Sequence, residues 1–171
     1  MKHRTTLLRI SMAAVPLVLA ACSGDQAGPT ESVRLAIVGP ASHGGRPFLQ
    51  QLTQEVTTTP VWSGDPDGRG TALITVNLGK SEVCWETTVS DITLPATASH
   101  IHKAGVGIRG PIVIPLSPPV ATGNGNGFAS ACRGGVDSEL LRDILENPQD
   151  YYVNVHTSDY PAGAIRGQMG Q

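Results

Sequence analysis

From Thr71 onward the chain alternates apolar and polar side chains with a period of two. That period belongs to β-strands, whose successive side chains point to opposite faces. Thr71–Leu78 and Ser81–Val89 read as two strands around a tight turn at Gly79-Lys80, a hairpin. Ala98–Lys103, Ile112–Leu116, Phe128–Cys132, Tyr151–Thr157 and Ala164–Met169 read as further strands. Ser117–Gly127 is rich in proline and glycine and reads as a loop. The period changes once. Leu140, Leu141, Ile144 and Leu145 form a helical stripe, with Asp137 or Ser138 as N-cap and Asn147-Pro148 as stop. The expectation is an all-β fold, an antiparallel β-sandwich or Greek-key barrel, with one short helix near 138–147.

The first 45 residues follow another pattern. Lys2, Arg4 and Arg9 make a basic start, and Ile10–Ala21 is uncharged and mostly apolar. A run of about a dozen residues is too short for a membrane span, which needs about 20. A basic start before a short apolar run is the pattern of a secretory signal. Leu19-Ala20-Ala21-Cys22 resembles a bacterial lipobox, which implies diacylglycerol on the Cys22 thiol and cleavage before it. Acyl chains contribute about 0.8 kcal/mol per buried CH₂, so two or three of them hold a protein at a membrane durably. The predicted organisation is a signal peptide over 1–21, a flexible tether over 22–45 with a short strand at Val33–Val38, and a β domain over 46–171. The expected location is the cell envelope, anchored to a membrane and facing the periplasm or the cell exterior.

Composition narrows the picture. Loss of residues 1–21 removes three of the 12 Lys and Arg side chains, so the formal charge moves from −2 to −5. A mildly acidic chain with scattered cations is not a nucleic-acid binder. With Cys22 committed to lipid, Cys84 and Cys132 remain as a pair, and an oxidising compartment predicts a disulfide between them. It closes a loop of about 50 residues.

Gly105-Val-Gly-Ile-Arg-Gly110 matches a dinucleotide fingerprint in letters only. That motif needs a helix after it, and here Pro111 and a β-branched run follow, so the glycines read as an inter-strand turn. Asp65-Pro-Asp-Gly68 reads as a type I turn with too few ligands for calcium. No G-x-S-x-G or other hydrolytic set is present, and a non-catalytic role is the expectation.

His100-Ile-His-Lys-Ala-Gly105, Gly107 and Gly110-Pro-Ile-Val resemble the H-I-H-x-x-x-x-G-x-x-G-P-V-V segment of CHRD domains. These modules are named for chordin and occur in bacterial secreted proteins and lipoproteins. Tyr152-Val-Asn-Val-His-Thr157, Pro161-Ala-Gly163 and Ile165-Arg-Gly-Gln168 resemble the family's Y-V-N-V-H-T … P-x-G-E-I-R-G-Q, with Ala164 in place of its glutamate. Leu52 and Glu55-Val56 resemble its N-terminal motif more weakly, with Gln54 and Thr57 departing from it. The resemblance covers about residues 46–170. It implies an extracellular β-rich module with a structural or partner-binding role, an extracellular protein being one such partner, and it carries over no ligand.

The spacing of the histidines suggests chemistry of its own. His100 and His102 share a strand face, and so do Tyr152, Asn154 and His156. With Ile101, Val153 and Val155 toward the core, all three histidines lie outside it. Three imidazoles with an open position suit copper or zinc. The pattern also resembles copper-zinc superoxide dismutase, which carries H-x-H on one strand and a further histidine on another. The chain lacks that family's bridging histidine, its histidine-rich zinc loop and its zinc aspartate. A metal-binding protein, extending to a superoxide dismutase-like oxidoreductase, is therefore the alternative function. The bland reading is three strand histidines bonded to loops. Arg109 and Arg166 are candidate binders of carboxylates on loops or on a partner, or simply structural cations.

Overall fold

The structure, a computed structural model, describes residues 44–171. The signal peptide, Cys22, the Val33–Val38 strand, His43 and all but the last two residues of the tether lie outside the described residues. The described chain is all-β with one short helix. β1 (Arg46–Gln54), β4 (Arg69–Asn77), β5 (Glu82–Ser90), β6 (Ala98–Lys103), β7 (Ile112–Leu116), β8 (Val120–Gly123), β9 (Asn126–Arg133), β10 (Tyr151–His156) and β11 (Ile165–Gln168) form one antiparallel sheet. Its order is β7-β6-β10-β11-β1-β4-β5-β9-β8. β2 (Val56–Thr58) and β3 (Val61–Ser63) form a separate hairpin.

β1 turns this sheet into a sandwich. Its residues from Arg46 to Leu52 pair with β4, while Thr53 and Gln54 pair with β11. The two halves on either side of β1 bury one core between them. Phe48, Leu52, Ile74 and Trp85 come from one half, and Ile101, Ile114, Val153, Val155 and Ile165 from the other. The outermost strands, β7 and β8, are joined by only the residues from Ser117 to Pro119. Trp85 Nε1 donates to Ser117 Oγ at 3.1 Å, and Ala96 N–H donates to Pro119 O at 3.0 Å, which fixes that crossing. α1 (Ser138–Glu146) lays Leu141 and Ile144 on the core, and Asp137 caps it by accepting from Glu139 N–H at 3.0 Å. Cys84 and Cys132 face each other across β5 and β9 and are joined by a disulfide.

Two elements differ from the sequence reading: part of an expected loop is strand, and one strand had no expectation. Ser117–Gly127 is not all loop, since it holds β8 and the start of β9. β8 is exposed at every position and so carries no apolar alternation. Its signal is the turn. Asn124 and Gly125 take φ of 53° and 75°, the left-handed pair of a two-residue hairpin. Second, β1 was hidden by Gln50, which takes an inward position between Phe48 and Leu52 and breaks the apolar period.

Candidate metal centre

The β6–β10 register sets Tyr152 opposite His102 and Asn154 opposite His100. His156 then stands two residues along from His100's partner, the diagonal distance that long side chains span. The three histidines lie outside the apolar core, as the strand period requires, with His102 buried and His100 and His156 half-buried. A second layer covers them, and Tyr152 and Asn154 on the same face are buried. That layer is the β2–β3 hairpin together with the 104–111 and 157–164 loops. Trp62 Nε1 donates to Gly163 O at 2.7 Å, Glu55 N–H to Ala164 O at 3.0 Å, and Thr58 N–H to Gly107 O at 2.9 Å.

The two arginines hold this layer down. Arg166 is buried and donates to Ile108 O and Gly105 O, each at 2.8 Å, and to Gln168 Oε1 at 2.9 Å. Its guanidinium lies 3.2 Å from the Tyr152 ring centre. Arg109 donates to Ala162 O at 2.8 Å and so ties the two covering loops together. Their partners in the fold are backbone carbonyls and one glutamine.

Backbone carbonyls also settle where the imidazole protons sit. His156 Nδ1 lies 3.1 Å from Pro161 O, and a carbonyl only accepts, so Nδ1 carries the proton and Nε2 the lone pair. That Nε2 is 3.2 Å from His100 Nδ1. His102 Nδ1 donates in the same way to Gly110 O at 2.9 Å, and its ring stacks on Tyr152 at 4.8 Å. One nitrogen from each of the three rings can be chosen so that all lie within 4.8 Å of one another. Glu82, Cys84 and Cys132 also cluster, but the two sulfurs are bonded to each other and are not metal ligands.

Behind His102 runs a buried chain that joins Asn154, on the histidine face, to Glu55 of the N-terminal motif, a connection the strand period does not predict. His102 Nε2 lies 3.1 Å from Asn154 Oδ1, and Asn154 Nδ2 lies 3.1 Å from Glu55 Oε2. With the amide set this way, His102 must be an imidazolium and Glu55 a carboxylate. With the amide turned over, His102 is neutral and Glu55 is protonated, with the same number of protons. Burial lowers the His102 pKa, and burial raises that of Glu55 against the opposing pull of Asn154, Arg166 and Arg109. Both shifts favour the neutral arrangement. Burial also lowers His156, and it brings His100 down to about 4, helped by repulsion from His156 and His102. All three rings are thus neutral at pH 7, the form that binds metal.

The donor set fits a transition metal. Bonds of about 2.0–2.1 Å place tetrahedral ligand nitrogens about 3.3 Å apart, close to the 3.2 Å at which His100 Nδ1 donates to the His156 Nε2 lone pair, so an ion held between them would displace that proton to His100 Nε2. The carbonyl on the far nitrogen of His156 is the outer contact that fixes a ligating tautomer. His102, whose ring nitrogens face Gly110 O and Asn154, would join the set only by giving up Asn154 at Nε2. A cleft of about 320 Å³, lined by His102, His156, Asn154 and Arg109, opens onto the cluster.

Fold and site together define a class: a disulfide-pinned antiparallel sandwich with an H-x-H strand and a third histidine on the neighbouring strand, all under a loop cover. The profile of the CHRD domain matches residues 48–169, and the chain belongs to the CHRD domain family. Neither the curated proteins nor the solved structures give a match. Membership suggests an extracellular module. Among the described residues, no helix is long and apolar enough to cross a membrane.

Proposed function

We propose that the chain is a CHRD module held at a membrane surface by lipid on Cys22, and that His100, His102 and His156 bind one copper or zinc ion there. The observation carrying the metal is the 3.2 Å approach of His100 Nδ1 to His156 Nε2, with the far nitrogen of His156 committed to a carbonyl. The lipid rests on the Leu19–Cys22 lipobox. The role is non-catalytic. The ion ties β6 to β10 under the loop layer, and the domain serves as a structural or partner-binding part of the envelope, an extracellular protein being the partner class.

The experiment is metal analysis of the purified protein after incubation with Cu²⁺ or Zn²⁺ and removal of excess. One ion per chain, lost in the His102→Ala/His156→Ala double variant, supports the reading. No retained ion sinks it. A redox role is the second reading, and the cleft beside His102 and His156 favours it because a small molecule reaches the cluster that way. Bound copper supplies one-electron chemistry. Superoxide decay that the copper-loaded protein leaves unchanged removes this second reading and leaves the first in place.

A further inference from the structure

On the outer face of the other half-sheet, away from the histidines, lies a groove of about 450 Å³. The registers of β1, β4, β5 and β9 place Gln51, Thr71, Thr88 and Phe128 side by side across its floor. Arg69, Ser90 and Asn126 make a second row two residues along. Every backbone in this floor is already paired within the sheet, so no extended peptide adds to it as a strand. Recognition falls to side chains: hydroxyls, two amides, one guanidinium and one ring. No carboxylate lines the groove. A single cation is too few for a polyanion such as a nucleic acid, which needs several. Phe128 keeps 40% of its surface exposed at one end of the first row, beside the exposed Val120 of β8. The Thr71 and Thr88 hydroxyls bond each other at 2.7 Å and stand ready as a donor–acceptor pair.

We infer that this groove binds a glycan chain. Sugar hydroxyls both donate and accept, which suits hydroxyl and amide side chains, and the apolar face of a pyranose packs on an exposed aromatic ring. Four strands at about 4.8 Å spacing make a floor about 14 Å across, the length of roughly three sugar rings. Arg69, held by Nη1 bonds to Pro66 O at 3.1 Å and Gly68 O at 2.8 Å, adds one place for an acidic substituent. The groove shares no residue with the histidine cleft, so glycan binding stands independently of the metal.

The test is calorimetric titration of the purified full-length protein with cellohexaose, chitohexaose and an alginate hexamer. Binding of at least one with a dissociation constant below about 1 mM is expected, weakened roughly tenfold by Phe128→Ala and by Thr88→Val. Both positions lie on the outer face, and circular dichroism confirms that each variant is folded. Arg142→Ala on α1 leaves the affinity unchanged. If none of the three sugars binds, or if binding is indifferent to Phe128→Ala, the inference is overturned. Alginate binding alone, lost in Arg69→Gln, narrows the ligand to an acidic glycan and supports it.

Discussion

Burial at the histidine layer has consequences that a pH titration reads. His100, His102 and His156 all have pKa values lowered on folding, chiefly by burial. Such groups contribute stability that is fully present above their unfolded value of about 6.5 and is lost as pH falls through the folded value. For His100 that loss is complete only below about 4. Glu55 has the opposite sign: its raised pKa favours folding below its unfolded value and loses that contribution as pH rises through the folded one. The histidine contributions are lost as pH falls from 7 to 4, with Glu55 opposing them, so the metal-free protein is expected to lose melting temperature over that range through His100, whose pKa comes down to about 4. His100→Asn should flatten that fall, and scanning calorimetry across the range checks it. The neutral His102–Asn154–Glu55 chain has its own test. In that neutral arrangement Glu55→Gln would replace a protonated acid by an amide of the same shape, and stability at pH 7 should stay unchanged or rise. A loss above about 2 kcal/mol in urea denaturation contradicts the neutral arrangement. Gly163 is the tightest residue here. It takes φ of 131°, and a Cβ would stand 1.9 Å from Glu55 Oε2. Gly163→Ala is therefore expected to cost about 3 kcal/mol or more, through backbone strain and displacement of a buried carboxyl.

At the scale of elements, strands with an apolar period on one face were legible in the sequence. β4 to β7, β9, β10, β11 and α1 fall within a few residues of their expected bounds. β8 and β1 were not, because an edge strand has no buried face and Gln50 interrupts an inner one. The same logic limits the site. The period of two placed three histidines on one face, but whether that face meets water depends on hairpins and loops far away in sequence. β2, β3 and Glu55 carry no such period, so neither the hairpin's bonds to Gly107 and Gly163 nor the contact of Glu55 with Asn154 was legible. Glu55 could have been noticed as the acid of a motif otherwise made of apolar residues. Between elements, the disulfide fixes β5 to β9 and closes a loop of 48 residues. In the chain-entropy model that is worth about 4 kcal/mol. Cys84→Ala/Cys132→Ala should lower the urea midpoint accordingly, and alkylation of the unfolded, unreduced protein should find neither thiol free.

For the whole molecule, the family is established and the address rests on the first 22 residues. Cys22→Ser should move the protein from the membrane fraction to the soluble one and abolish labelling by a palmitate analogue. Retention at the membrane with no label would contradict the lipid anchor. The described domain presents two separate surfaces, the histidine cleft on one half-sheet and the Phe128 groove on the other. The central claim concerns the first of these. X-ray absorption at the copper or zinc edge, on protein loaded with one equivalent, tests it most directly. The account predicts a shell of three imidazole nitrogens at about 2.0–2.1 Å that shrinks in His156→Ala. A shell of oxygen ligands alone, or one indifferent to His156→Ala, would contradict it.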